Sequence, residues 1–96
     1  MNARLPPQDI EAERSVLAAI LIDPDAIVKV TEHLAPESFY LPKHQAIFEA
    51  MRDLYEKREP IDAVTLTAQL KKKKDLTKAG GSSELAELSN ILSTAA

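Results

Sequence analysis

Proline sets the strongest limit on how this 96-residue chain can fold. It occurs at positions 6, 7, 24, 36, 42 and 60, so that no long uninterrupted segment remains. Proline has no backbone N–H and cannot continue a helix interior or a central strand, and the residue before it is displaced from helical geometry. The sequence therefore predicts several short elements, each bounded by a proline or by another turn signal.

The composition favours helices for these elements. Hydrophobic residues make up 45% of the chain and charged residues 28%, which is typical of a globular protein, but aromatic residues make up only 4% and there are two glycines. Residues that fill strands and turn hairpins are therefore scarce, and an all-β fold is not expected. The length of 96 residues fits one domain with a single core.

Composition also excludes several classes of function. The absence of cysteine rules out a disulfide framework, a thiolate zinc site and a cysteine nucleophile, and cytoplasmic localisation is the expectation. The net charge of −3 provides no basic field for DNA or an anionic membrane, so direct DNA binding is not expected. The longest apolar stretch, residues 16–22, is too short to span a bilayer, and the N-terminus does not resemble a signal peptide.

The first half of the chain predicts two helices. An extended lead-in over residues 1–9 ends at Asp9, which is expected to cap a helix of residues 10–22. Asp23 and Pro24 then resemble an N-cap followed by a proline at the first helical position, which predicts a second helix that runs to about Leu34 and is ended by Pro36. The apolar stripe of the first helix contains Ile10, Val16, Leu17, Ile20 and Leu21.

The third helix is expected to be the central one, because it has the widest apolar stripe. It is predicted to run from Pro42 to about Lys57, and its stripe contains Ile47, Phe48, Met51, Leu54 and Tyr55. The loop before it contains Phe39 and Tyr40. We expect this aromatic pair to close one end of the core, with an exposed anchor for a partner as the alternative.

Two further helices complete the prediction. Asp62 is expected to cap a fourth helix that buries Val64, Leu66 and Leu70 and ends in the lysines of positions 71–74. Gly80 and Gly81 allow a sharp turn, after which a fifth helix begins at position 81 or 82, with Leu85, Leu88 and Leu92 facing inward. The predicted fold is a compact, orthogonal, all-α bundle of five to six short helices over residues 10–92. Its predicted core comprises Val16, Leu17, Ile20, Ile47, Phe48, Met51, Leu54, Leu66, Leu70, Leu85 and Leu88.

No catalytic, cofactor-binding or metal-binding residue is predicted. The two glycines lack the preceding strand and the lysine of a phosphate-binding loop, and His33 and His44 cannot form a zinc site by themselves. We expect His44 to be partly buried and hydrogen-bonded to a neighbouring loop; a small hydrolase that uses His44 is a remote alternative.

Charged residues are interpreted mainly as surface. Glu11 and Glu13 point about 200° apart on a helix and are expected to be solvated and to complement the helix dipole; the alternative places Glu11 on a protein-docking surface. The lysine run is expected to be a solvated helix end, with a weak phosphate contact as the alternative.

Taken in order, the motifs of this chain resemble the N-terminal domain of the bacterial replicative DNA helicase of the DnaB type. The resemblance extends over nearly the whole chain. It depends on residues 6–7, 10–13 (Ile-Glu-Ala-Glu), 15–17, 23–24, 39–40, 44, 47–48, 59–62 (Glu-Pro-Ile-Asp), 64–66 and 80–81.

The resemblance implies a non-catalytic head that supports assembly of a hexameric helicase ring from dimers of heads and docks primase, with a helicase loader as a further candidate partner. ATP and magnesium would bind only in the full-length protein, whose RecA-like ATPase domain would follow a helical hairpin; residues 93–96 would begin the linker. Glu11, Arg14 and Glu84 are the partner-binding candidates. Glu84 stands where the family often has an aromatic residue. The alternative function is a free-standing helical adaptor without helicase activity.

Overall fold

The computed structural model describes residues 9–91, which form five α-helices and one short 3₁₀ turn. No strand occurs in this range, and the prediction of an all-α fold is confirmed. Residues 1–8 of the predicted lead-in over residues 1–9, the inward position of Leu92 and the linker at 93–96 lie outside the described residues, whereas Asp9 is the first residue of the first helix. The elements are α1 (Asp9–Ile22), α2 (Ala26–Val30), the 3₁₀ turn (Pro36–Ser38), α3 (Pro42–Glu56), α4 (Ala63–Lys72) and α5 (Gly81–Ile91).

Helix α3 lies at the centre of the bundle. It packs against α1, α2, the 3₁₀ turn and α4, while α5 closes the bundle against α1 and α4. Its residues Ile47, Phe48 and Met51 are completely buried. The Phe48 ring contacts that of Phe39, with 5.1 Å between the ring centroids. One hydrophobic core therefore serves all five helices, as the chain length implies.

The core follows the helical periodicity of the sequence. Val16 is only partly buried, because it lies at the edge of the α1 stripe whose buried positions include Leu17 and Ile20. The remaining residues expected in the core are exposed by 1% or less: Leu17, Ile20, Ile47, Phe48, Met51, Leu54, Leu66, Leu70, Leu85 and Leu88.

Helix α2 is shorter than predicted. It covers only Ala26–Val30, and the segment that follows is a series of turns in which the Thr31 hydroxyl donates to the Val28 carbonyl over 3.0 Å. A hydroxyl that bonds to a nearby carbonyl competes with continuation of the helix. The predicted cap at Asp23 is also wrong, because Asp25 occupies the N-cap position and its side chain makes no capping hydrogen bond.

Two apolar residues predicted on buried stripes are exposed. Tyr55 is 46% exposed and Val64 is 77% exposed. Tyr55 is one position after the buried Leu54 and is therefore rotated about 100° away from it, while Val64 is about 200° from Leu66 on α4. The apolar stripe predicted for each of these two helices is therefore too wide.

The predicted start of α4 is confirmed. The Asp62 carboxylate accepts from the Thr65 N–H over 2.8 Å, and the Thr65 hydroxyl accepts from the Asp62 N–H over 2.9 Å. This reciprocal pair satisfies two backbone donors at the helix N-terminus. At the start of α5, Gly80 has a φ of +99°, a backbone conformation that glycine tolerates better than any other residue.

Candidate docking face on α1, α3 and α5

Three helices each place one charged side chain at a common point. Glu84 Oε2 on α5 lies 3.8 Å from Arg14 Nε on α1 and 3.4 Å from Lys43 Nζ on α3. The Glu84 side chain is 12% exposed, whereas those of Arg14 and Lys43 are 28% and 36% exposed. The structure thus brings together Arg14 and Glu84, two of the three predicted partner-binding residues, and adds Lys43, which the sequence did not indicate.

The Gly80 turn allows Glu84 to occupy this position. A Cβ atom at position 80 would lie 2.8 Å from the Glu84 Cβ, which is closer than real Cβ contacts come. Glycine therefore permits the close approach of the first turn of α5, where the positive end of the helix dipole favours the Glu84 carboxylate. Glu84 Oε2 and Arg14 Nε are buried and have no hydrogen-bond partner within residues 9–91. The contact between Arg14 and Glu84 is therefore a charge pair without a hydrogen bond.

Two exposed carboxylates extend this charged face. Glu87 Oε1 on α5 lies 3.6 Å from Arg14 Nη2, and its side chain is 69% exposed. Glu11 is exposed on α1, three positions before Arg14, which is the spacing of neighbours on a helix surface. We call Glu11, Arg14, Lys43, Glu84 and Glu87 the docking face.

Behind this face, Glu13 fastens α1 to the start of α3. It is only 8% exposed, and the expectation that it is solvated is wrong. Its Oε1 lies 2.7 Å from His44 Nδ1, and its Oε2 accepts from the Tyr40 N–H. The spacing could have revealed it, because Glu13 precedes Leu17 by four residues and Ile20 by seven and therefore lies on the buried stripe.

His44 is fully buried, and its partner is Glu13 on α1 rather than a neighbouring loop as predicted. An ionised carboxylate can only accept, so the bond to Glu13 requires the hydrogen on Nδ1. His44 Nε2 is buried and has no hydrogen-bond partner among the described residues. The pair holds α1 and α3 together.

The two residues of the aromatic pair have different environments. Phe39 is 3% exposed and lies in the core, as expected of a residue that closes it, whereas Tyr40 is 53% exposed. The backbone between them is held by Glu13 at the Tyr40 N–H and by Gln45 Nε2, which donates to the Phe39 carbonyl over 2.8 Å. Phe39 therefore closes the core as predicted, whereas Tyr40 is exposed.

The lysine run is not uniformly solvated. Lys73 Nζ lies 2.7 Å from Asp53 Oδ2 and 3.0 Å from Glu49 Oε1, and thereby joins the end of α4 to α3. Partial burial by itself lowers the pKa of Lys73, but the hydrogen bonds and charges of Asp53 and then Glu49 outweigh it and raise the pKa above 10.5. Lys71, Lys72 and Lys74 are exposed, as expected of a solvated helix end.

Among residues 9–91, no group of three or more His, Cys, Asp or Glu side chains could hold a metal ion. Within the same residues, no helix is long and apolar enough to cross a membrane.

Curated relatives of this chain are replicative helicases. It is 48% identical over 95 residues to the replicative DNA helicase DnaB of Geobacillus stearothermophilus, covering 99% of this chain and 21% of that protein. It is 45% identical over 96 residues to the replicative DNA helicase DnaC of Bacillus subtilis, covering all of this chain and 21% of that protein. The chain thus spans about a fifth of the length of these two relatives.

The fold agrees with this relationship. The crystal structure of the N-terminal domain of DnaB helicase from Mycobacterium tuberculosis superposes with a TM-score of 0.81 at 46% identity, covering 88% of this chain and 58% of that one. A sequence model described as the DnaB-like helicase N terminal domain matches residues 5–96. The chain therefore belongs to the family of DnaB-like helicase N-terminal domains.

Proposed function

We propose that this chain is the head domain of a replicative DNA helicase, in which it supports assembly of the hexameric ring and docks primase through the docking face. The observation that carries the docking proposal is the convergence of Arg14, Lys43 and Glu84 from three helices at one partly exposed point. Side chains anchored in different helices keep their relative positions, so a partner meets a preformed arrangement of charge.

The charge of the face favours a protein partner over a nucleic acid. Its three carboxylates, Glu11, Glu84 and Glu87, outnumber its two cations, Arg14 and Lys43. Lys43 lies beside Glu84, and Arg14 lies beside both Glu84 and Glu87. DNA phosphates would be repelled by this surface, whereas a partner with basic residues would be complementary to it.

ATP hydrolysis and DNA unwinding belong in this proposal to the full-length protein. The curated relatives are replicative DNA helicases about five times as long as the aligned segment, since this chain covers 21% of two of them. We place ATP and magnesium in an ATPase domain beyond a helical hairpin, with residues 10–92 as the head and residues 93–96 as the start of the linker. The protein would act in the cytoplasm, with other helicase subunits, primase and a helicase loader as its partners.

Backbone NMR during titration with the C-terminal domain of the primase from the same organism tests the docking role. We expect amide shifts concentrated in α1, in the first turn of α3 and in the first half of α5. Glu87→Lys should weaken binding by about tenfold or more, because it replaces an exposed carboxylate of the face by a cation that repels a basic partner.

The matched control is Glu32→Lys, a charge reversal at an exposed turn residue after α2. It should bind primase within about twofold of the parent chain, because an exposed charge outside the face contributes little. Absence of any amide shift at saturating primase would contradict the docking role, and equal losses for the two variants would contradict its location.

A further inference from the structure

The two tyrosines of this chain have similar exposure but different support. Tyr40 is 53% exposed and Tyr55 is 46% exposed. Tyr55 lies in the last turn of α3, where its carbonyl accepts from the Arg58 N–H at the helix end. Tyr40 lies between the 3₁₀ turn and α3, where side chains from other parts of the fold hold the backbone. The chain thus has one exposed tyrosine in a connection held by other parts of the fold and another at a helix end.

Three contacts fix the segment of Phe39 and Tyr40, which we call the Tyr40 corner. The buried Glu13 carboxylate accepts from the Tyr40 N–H, and Gln45 Nε2 donates to the Phe39 carbonyl over 2.8 Å. The Phe39 side chain is buried, with its ring centroid 5.1 Å from that of Phe48. Moving this corner would break a hydrogen bond to a buried carboxylate and withdraw an aromatic ring from the core, and both changes are unfavourable.

The corner is also linked to the docking face, through Glu13 and through the start of α3. Glu13, which holds the Tyr40 N–H, directly precedes Arg14 on α1. Lys43, three residues after Tyr40, lies 3.4 Å from Glu84 at the centre of the face. Tyr40 is therefore connected to the charged cluster through α1 and α3, two of the three helices that form it.

We propose that Tyr40 is the aromatic anchor of the docking face, and that its ring inserts into an apolar pocket of the partner whose rim is basic. This inference rests on the proposed docking function and adds the residue that makes the largest single contribution to affinity. Tyrosine is suited to the role because it contributes a large contact area with few rotatable bonds. A fixed backbone lowers the ordering cost of binding, and the carboxylates of the docking face, Glu11, Glu84 and Glu87, complement a basic rim.

The test measures affinity for the primase C-terminal domain by calorimetry, with Tyr40→Ala, Tyr40→Phe and Tyr55→Ala in the full 96-residue chain. We expect Tyr40→Ala to weaken binding by about 30-fold, the loss typical of an anchor residue. Tyr40→Phe keeps the ring and should bind within about threefold of the parent. Tyr55→Ala is the matched control and should change affinity by less than about twofold. Each variant should fold, because all three changes keep the backbone N–H of residue 40 that bonds to Glu13. Circular dichroism and thermal unfolding verify this.

The possible outcomes separate this inference from the proposed function. Binding that persists in Tyr40→Ala would overturn the anchor and leave primase docking intact. Equal losses for Tyr40→Ala and Tyr55→Ala would also overturn it, because the selectivity of the fixed corner would be absent. No binding by the parent chain would refute the docking function, and the anchor with it. A large loss in Tyr40→Ala alone, with binding retained in Tyr40→Phe, supports the proposal.

Discussion

Polar side chains fasten α3 to its neighbours on two sides, and the two seams differ in burial. Toward α1 the contact is one pair, Glu13 and His44, which are 8% and 0% exposed. Toward α4 it is a network in which Asp53 accepts from both Lys73 and Gln69, and the Lys73 side chain is 25% exposed. We refer to these contacts as the buried seam and the exposed seam.

From this difference in burial we expect that the number of polar contacts does not measure their contribution to stability. In the exposed seam, water can replace any contact that is lost, and Lys73 retains Glu49 if Asp53 is removed. In the buried seam, one carboxylate serves both His44 and the Tyr40 N–H, and water has little access. Loss of a partner there leaves unsatisfied polar groups in a medium of low polarity.

The largest effect is expected from a substitution in the hydrophobic core that lies beneath both seams. Phe48→Ala should lower the free energy of unfolding by about 3 to 5 kcal/mol, because Phe48 is completely buried and its removal leaves a cavity beside Phe39. Chemical denaturation measures this loss. Tyr55→Ala, which truncates an exposed aromatic residue of the same helix, is the control and should cost far less. Equal costs would show that the buried side of α3 is wrongly placed.

The buried seam is tested by Glu13→Ala. We expect a loss of about 3 kcal/mol, since the change leaves the His44 Nδ1 and the Tyr40 N–H without their shared acceptor. The control is Glu11→Ala, two residues away on the exposed side of α1, which should remain within about 0.5 kcal/mol of the parent. Equilibrium urea unfolding compares the two, and similar midpoints would contradict the special status of Glu13.

A double variant separates burial from pairing. Glu13→Met combined with His44→Phe replaces both partners by apolar side chains, and it should cost less than Glu13→Ala alone, because fewer buried polar groups lose their partners. A greater loss in the double variant would mean that the pair contributes net stability beyond the avoidance of unsatisfied groups.

The sequence predicted the apolar part of this fold better than its polar part. The spacing of Leu17, Ile20 and Phe48 identifies buried positions, because removing an apolar side chain from water is favourable whatever residues it packs against. Periodicity was less informative at the edges of the stripes, where Val64 was placed inside and is 77% exposed. Whether an edge residue is covered depends on the neighbouring helix, which a single helical period does not specify.

Polar partners were harder to predict because they join residues that are far apart in sequence. Glu13 and His44 are separated by 31 positions, and Lys73 and Asp53 by 20. Nothing local distinguishes Glu13 from the solvated Glu11 except its place on the buried stripe. By contrast, the Asp62 cap was predictable, since its partner Thr65 is three residues away. For the docking face, the family resemblance supplied Glu11, Arg14 and Glu84, whereas Lys43 required the fold.

The exposed seam should respond weakly to Lys73→Met. We expect a loss of about 0.5 to 1 kcal/mol at neutral pH and low salt, decreasing as salt screens the charges. The raised pKa of Lys73 means that its contribution is fully present below the unfolded value and is lost as pH rises through the higher folded value. Unfolding measurements on parent and variant from pH 9 to 12 should therefore converge at the alkaline end.

Lys72→Met is the control for the exposed seam, because Lys72 is the exposed neighbour of Lys73 in the same run. It removes the same charge, and its effect should show no comparable convergence at high pH. A cost for Lys73→Met as large as that of Glu13→Ala would end the contrast between the two seams.

The smallest effect has the opposite sign and concerns the end of α3. Arg58 has a φ of +60°, a conformation that glycine adopts without strain. Its N–H donates to the Tyr55 carbonyl over 3.0 Å and the Glu59 N–H donates to the Leu54 carbonyl over 2.9 Å, the pattern of a Schellman cap. Arg58→Gly relieves strain of about 1 to 2 kcal/mol and gives back about 0.4 to 1 kcal/mol through a freer unfolded chain, so a net gain of about 0.5 kcal/mol is expected.

Lys57→Gly, at a φ of −83°, relieves no such strain and should destabilise. Thermal unfolding of both variants decides the matter: a loss for Arg58→Gly would mean that the arginine side chain stabilises this exposed corner by more than its backbone strain costs.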